Sequence, residues 1–324
     1  MIRAALGGRT ATAPPPTMKR MGEQLAGFHT VWEFDTDSVL IRFERGIRTP
    51  RLFHVLGERR VPYEALSAVE LTPGRKGSVV LRAVPRPGAD PLMDAADGQL
   101  KEGSDPYRLV LPAERELLAE YYAEELRSAL GPDAGRPAEC HLVAAPPPPL
   151  SFKAYDGKAR FDGESVVFRW FWTGASSAKW KAGDQRFPVG ELGGVEWRSP
   201  EVFDGHLRLL RRGADTPGTG DADQDPASVV FGLGYGLVHE SLPFAASVLE
   251  AVKAASPATT DGGVSPCAGT AAAPSVLTAG ARAQARPDPA DVADRIRHLG
   301  ALHEAGLLTD DEFSSKKAEL LAEL

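Results

Sequence analysis

Cysteine is nearly absent from this chain of 324 residues: Cys140 and Cys267 are the only two, and both stand in segments rich in proline and alanine. A disulfide framework needs several paired cysteines and a structural zinc site needs about four clustered ligands, so neither staple is expected and a reducing cytosol suits the chain. Long apolar runs are also missing. None approaches the roughly 20 residues a membrane-spanning helix requires, and no apolar segment ahead of Pro14-Pro15-Pro16 could serve as a secretory signal or follow a twin-arginine pair. Positive charge is in deficit, with a net charge of −7. Binding to nucleic acid depends on a dominant basic face, so no nucleic-acid partner is expected. The expectation is a soluble, cytoplasmic protein.

What the chain does have is punctuation. Its 27 prolines and 33 glycines gather in a few stretches, the mark of folded units separated by linkers. Residues 1–24 read as a disordered tail. Ordered structure is expected near Gly27 and residues 1–19 are expected to be dispensable, with translation open to Met1, Met18 or Met21 and Met21 the preferred start.

A repeat is legible between the linkers. Phe34-Asp35-Thr36-Asp37-Ser38-Val39-Leu40-Ile41-Arg42-Phe43 aligns with Phe161-Asp162-Gly163-Glu164-Ser165-Val166-Val167-Phe168-Arg169-Trp170, and Arg60-Val61-Pro62 with Arg186-Phe187-Pro188 at nearly the same offset. Two matched blocks in order indicate a duplicated unit of about a hundred residues. Short β-branched and aromatic runs bounded by turn residues predict strands at 68–71, 78–83 and 107–111, and again at 194–197, 206–210 and 228–232. An amphipathic helix is expected to close each unit, over 113–130 and 243–255, the second capped by Ser241. The fold class is therefore α+β: two tandem pleckstrin-homology-like β-sandwich or barrel units, at 25–130 and 150–255.

The segment 131–149 ends in Pro146-Pro147-Pro148-Pro149 and reads as a stiff spacer holding the units apart. Residues 256–288 contain no aromatic side chain and read as a disordered linker with a reach of roughly 30 Å. Apolar periodicity then returns over 289–324. Ile296, Leu299 and Leu302 precede Gly306, Thr309 to Glu312 forms a capping box, and Leu307, Phe313, Leu320 and Leu324 extend the seam of a helical hairpin.

The tail, through Leu299, Leu302, Gly306-Leu307-Leu308-Thr309, Glu312-Phe313, Lys317 and Leu320-Leu321, resembles the bacterial short C-terminal domain family, SHOCT. Phe43-Glu44-Arg45-Gly46-Ile47-Arg48-Thr49-Pro50 and Trp170-Phe171-Trp172-Thr173-Gly174 carry a resemblance of the duplicated unit to the domain of unknown function 4429. That family implies a pleckstrin-homology-like fold, usually as a tandem pair, and no known activity.

Chemical motifs are weak. Gly232-Leu233-Gly234-Tyr235-Gly236 lacks phosphate-loop spacing and reads as a turn. His298 and His303 are five residues apart, which does not suit one helix face, and His239-Glu240-Ser241 is sequence adjacency without triad geometry. Catalytic residues, cofactors and metal ligands are all expected to be absent.

Charge is more informative: residues 42–86 hold ten Lys or Arg against four acids, and 90–125 hold three against ten. Arg45, Arg48, Arg51, Arg59 and Arg60 are candidates for contact with an anionic surface at the inner membrane face, although basic and acidic halves that compensate each other are the plainer reading. Trp170, Trp172 and Trp180 replace the arginines in the second unit as candidate partner anchors, Trp170 and Trp172 on one strand face, against core packing as the plainer alternative.

These readings describe an adaptor that engages a protein or an anionic surface and self-associates or docks through its hairpin; the alternative is an enzyme or small-ligand protein with a site between the units. Two helices of about fifteen residues cannot form a sufficient core alone. Replacing Leu299 and Leu320 with aspartate is therefore expected to lower the assembly mass measured by light scattering without unfolding the β units. An unchanged mass, also matched by a chain ending at Ala255, with no partner lost in affinity capture, would remove the assembly role.

Overall fold

The computed structural model describes residues 23–213, 220–256 and Ser314. The C-terminal seam from Ile296 to Leu324 and the tail ahead of Glu23 lie outside the described residues. The first repeat runs through strands β1 (Glu23–Ala26), β2 (Thr30–Phe34), β3 (Ser38–Phe43), helix α1 (Arg51–Leu56), β4 (Glu58–Pro62), β5 (Leu66–Pro73), β6 (Val79–Pro85), helix α2 (Pro91–Ala96), β7 (Arg108–Leu111) and helix α3 (Glu116–Ala129). The second runs through β8 (Leu150–Lys153), β9 (Gly157–Phe161), β10 (Ser165–Trp170), helix α4 (Ser177–Ala182), β11 (Gln185–Pro188), β12 (Leu192–Arg198), β13 (His206–Arg211), β14 (Ser228–Val230) and helix α5 (Val238–Ala254). Each repeat is an antiparallel four-stranded sheet followed by an antiparallel three-stranded sheet, and no sheet closes into a barrel.

Side-chain alternation decides which face of each strand is inside. Val39, Ile41 and Phe43 of β3, and Val166, Phe168 and Trp170 of β10, point into the core, while Leu40, Arg42, Val167 and Arg169 point away. Trp32, Leu81, Leu109 and Tyr122 belong to one cluster, so both sheets and α3 share a single core. The duplication extends to individual hydrogen bonds. Phe28 N donates to Val110 O as Tyr155 N does to Val230 O, and Glu44 N donates to His29 O as Phe171 N does to Asp156 O. Register shifts at Leu66/Ala68 and Leu192/Gly194 occupy matching places.

Three expectations need correction. The segment 131–149 does not hold the repeats apart. Ala138 N donates to Pro87 O, Leu142 N and Val143 N donate to Ala89 O, and Ala145 N donates to the Glu250 carboxylate at 3.0 Å. Val143 and Ala145 are buried, so this segment is strapped along both repeats; four prolines are too few to impose a rigid gap when apolar residues beside them can bury. Helix α5 begins at Val238 rather than at Pro243, and Ser241 is not its N-cap: it lies one turn inside, accepting from Trp197 Nε1 at 3.0 Å. Its hydroxyl lies 2.8 Å from Gly236 O and 3.1 Å from Leu237 O and has one proton to give. Pro243 stands at the sixth helical position, where proline removes one backbone donor. The first strand, β1, lies immediately ahead of Gly27, near where ordered structure is expected; its four residues of mixed polarity leave no periodic signal.

The repeats are fused. Leu52 of α1 and Leu92, Ala95 and Ala96 of α2 belong to the core cluster of the second repeat, together with Phe244, Ala245 and Val248 of α5. Gln99 bridges the backbone at Trp197 O (3.0 Å) and Ser199 N (2.9 Å), and Lys253 Nζ donates to Gly88 O at 3.1 Å.

One core position separates the copies. In the first, Phe53 stacks on Phe43 with ring centroids 4.5 Å apart. In the second, Lys179 takes the equivalent place over Trp170, its ammonium 5.2 Å from the ring centroid and hydrogen-bonded to Asp156, with both side chains fully buried. Asp156 also accepts from Val230 N at 3.0 Å. Burial, offset in part by Lys179, pushes the Asp156 carboxyl above its ordinary range. Asp156→Asn leaves a buried ammonium without its counterion and is expected to destabilise the fold by about 3–5 kcal/mol. Adding Lys179→Met should recover a large part of that loss in chemical denaturation; equal losses for the single and double variants would mean the two groups are not coupled.

Candidate functional site

A cleft of about 780 Å³ opens between the repeats. Pro50, Arg51 and Leu52 at the start of α1, with Leu100, Lys101 and Ser104, form the wall from the first repeat. The opposite wall is residues 200–205, the turn 230–234 and the first residues of α5. Each segment is shaped by local backbone demands. Gly232 and Tyr235 form an isolated bridge, Gly234 has φ +81°, and this tight turn holds Leu233 fully out in solvent. Gly205 lies against Ser199 O, which would be 2.5 Å from any added Cβ, so the 199–205 connection can close only with glycine there. That connection presents Phe203 at 85% exposure and Val202 at 47%.

The charges at the cleft are few. Lys101 Nζ meets Glu201 at 2.8 Å, tying one wall to the other. Arg51 makes no ion pair among the described residues. His239 is held below its ordinary pKa by desolvation; Glu240 opposes that shift, and the neighbouring Arg51 charge adds to it. Its imidazole is therefore mostly neutral near pH 7, when it can both donate and accept a hydrogen bond. Ser241, two residues after His239, is fully buried and committed to Trp197, Gly236 and Leu237. No group of His, Cys, Asp and Glu suited to a metal ion occurs among the described residues. The cleft sets apolar side chains beside the Arg51 guanidinium and the His239 imidazole, groups that can hydrogen-bond a carboxylate or another polar group.

The five arginines singled out from the sequence do not form one patch. Arg45 and Arg48 are exposed in the loop between β3 and α1, and Arg51 lies at the cleft. Arg59 is buried, pairing with Asp90 at 2.7 Å, and Tyr107 donates to the same carboxylate at 2.6 Å. It is therefore corrected from surface contact to core. Desolvation opposes the Arg59 charge, but Asp90 and Tyr107 outweigh it and raise its pKa, while burial and then Asp90 push the Tyr107 hydroxyl well up. Arg60 points outward, as alternation along β4 requires, and is occupied by Asp35 at 2.6 Å and Ser38 Oγ at 2.8 Å. Adjacent arginines in a strand must take opposite faces, a signal already present in the sequence.

The tryptophans also divide. Trp170 is core, its Nε1 donating to Gly183 O at 2.8 Å, which removes it as a partner anchor. Trp172 does not share its face by alternation, because β10 ends at Trp170. Trp172 and Trp180 are about half exposed. The cleft residues Phe203, Val202 and Leu233 were not legible from spacing, since they sit in irregular connections.

Comparison with known proteins agrees with this geometry. The family model of the domain of unknown function DUF4429 matches residues 32–127 and 159–249, one segment in each repeat, and that of the short C-terminal domain SHOCT matches residues 294–321. No curated protein matches the chain. With more than half of its residues matched in two tandem segments, the chain belongs to the DUF4429 family and carries a C-terminal SHOCT domain.

Proposed function

We propose that this protein is a non-enzymatic adaptor in which two pleckstrin-homology-like units, fused into one body, take an apolar segment of a protein partner into the inter-repeat cleft. The four-plus-three strand order with a closing helix in each repeat supports the pleckstrin-homology-like reading. The observation that carries the binding role is the cleft itself, rimmed by Phe203 and Leu233, which are held out in solvent by turns that fix their positions. Apolar side chains displayed on fixed backbone bind with little ordering cost, and aromatic anchors at the centre of an interface carry most of its energy. The hairpin would add self-association or docking, raising the effective concentration of what the cleft holds.

The same cleft gives weight to a second reading, a small-molecule site between the repeats, because its volume falls in the roughly 300–1,000 Å³ range of such sites. Phe203→Asp combined with Leu233→Asp is expected to reduce partner recovered by photo-cross-linking from the cleft at least ten-fold, with a thermal midpoint within about 2 °C of the parent because both side chains are exposed. Identical recovery from parent and double variant would refute the adaptor reading. A co-purifying small molecule seen by native mass spectrometry, lost in the double variant, would favour the second reading instead.

A further inference from the structure

The loop between β3 and α1 in the first repeat places one apolar side chain at a basic tip. Ile47 is fully exposed, and Arg45 and Arg48 beside it are exposed with no ion pair among the described residues. The tip is held, not loose. Thr49 N donates to Gly46 O at 3.1 Å, the buried Thr49 hydroxyl meets His29 Nδ1 at 3.1 Å, and Glu44 N donates to His29 O at 2.8 Å. These bonds tie the loop to the β1–β2 turn, whose Phe28 is also exposed.

Register places more cations at the same end. Phe28 N bonds Val110 O near the end of β7, and Leu111 pairs with Val79 just after the β5–β6 turn, where Arg75 and Lys76 are exposed and without ion pairs among the described residues. Glu44 and Glu114 partly offset this charge. The equivalent loop of the second repeat, residues 171–176, contains no arginine.

We infer that this end of the first repeat is a membrane-contact surface, with Ile47 and Phe28 entering the headgroup region of an anionic bilayer and Arg45, Arg48, Arg75 and Lys76 meeting its phosphates. A protein partner would need a pocket to receive an isolated isoleucine, whereas a bilayer receives an apolar tip wherever it lands, and basic residues near its surface add attraction. The net charge of −7 does not prevent this, because charges beyond roughly 8 Å are screened at physiological salt. The loop runs on into the cleft wall at Pro50, but Phe28, Arg45, Ile47, Arg48, Arg75 and Lys76 do not line the cleft, so substitutions at these residues test this surface apart from it.

The test uses the full chain with Cys140→Ser, Cys267→Ser and Ile47→Cys, labelled at the new thiol with an environment-sensitive fluorophore. Vesicles of about 30% phosphatidylglycerol in phosphatidylcholine should shift the label to shorter wavelength, and pure phosphatidylcholine should not, as the charge attraction of the basic residues requires. In the unlabelled chain, Arg45→Ala and Arg48→Ala should each weaken vesicle partitioning by roughly five-fold at low salt, and Ile47→Asp should weaken it further while thermal unfolding stays unchanged. An unshifted label on anionic vesicles, or equal partitioning of parent and Ile47→Asp, overturns the inference. Binding to polyglutamate with an unshifted label on vesicles would also overturn it, in favour of an acidic protein surface.

Discussion

The fused architecture depends on the burial of α5 on two sides. A helix that faces solvent needs a polar stripe, yet α5 carries Leu242, Phe244, Ala245, Ala246 and Val248 fully buried around its circumference. One side meets the sheets of its own repeat, through Phe152 and Phe161. The other meets α1 and α2 of the first repeat. Small residues of both helices, Ala95 and Ala96 on α2 and Ala245 and Ala246 on α5, belong to this shared cluster. Without that burial there would be no fixed angle between repeats and no cleft of defined width.

Much of the repeat was visible in the sequence because alternation and turn chemistry are local. Val39-Leu40-Ile41 and Val166-Val167-Phe168 announce strands, and Gly163, with φ +101°, sits where a tight turn needs glycine. The relation between the repeats was not visible. Nothing in the spacing of Leu52, Leu92 or Ala96 says that these side chains serve the other copy's core. Prolines at 146–149 suggested separation because stiffness can be read from composition, while the hydrogen bonds of Ala138, Leu142 and Ala145 cannot.

The candidate surfaces show the same limit. Charge counts located a basic stretch correctly as composition, but Arg59 belongs to the buried Asp90 and Tyr107 network and Arg60 to Asp35. Arg45 and Arg48, by contrast, are exposed and enter no ion pair among the described residues, a property of three-dimensional neighbours. Exposed Phe203 and Leu233 are equally invisible to periodicity, since an irregular connection has no period from which to infer a face. The substitution of Phe53 on Phe43 by Lys179 on Trp170 shows how far the copies have diverged while keeping one shape.

The shared core also makes the two copies unequal. The interior of the first repeat is built from its own sheets and α3, with Val143 and Leu142 from the connecting segment. The interior of the second includes Leu52, Leu92, Ala95 and Ala96 of the first. A chain cut down to its second copy would therefore lose four side chains from its core and bare the apolar surface of α5 that they cover.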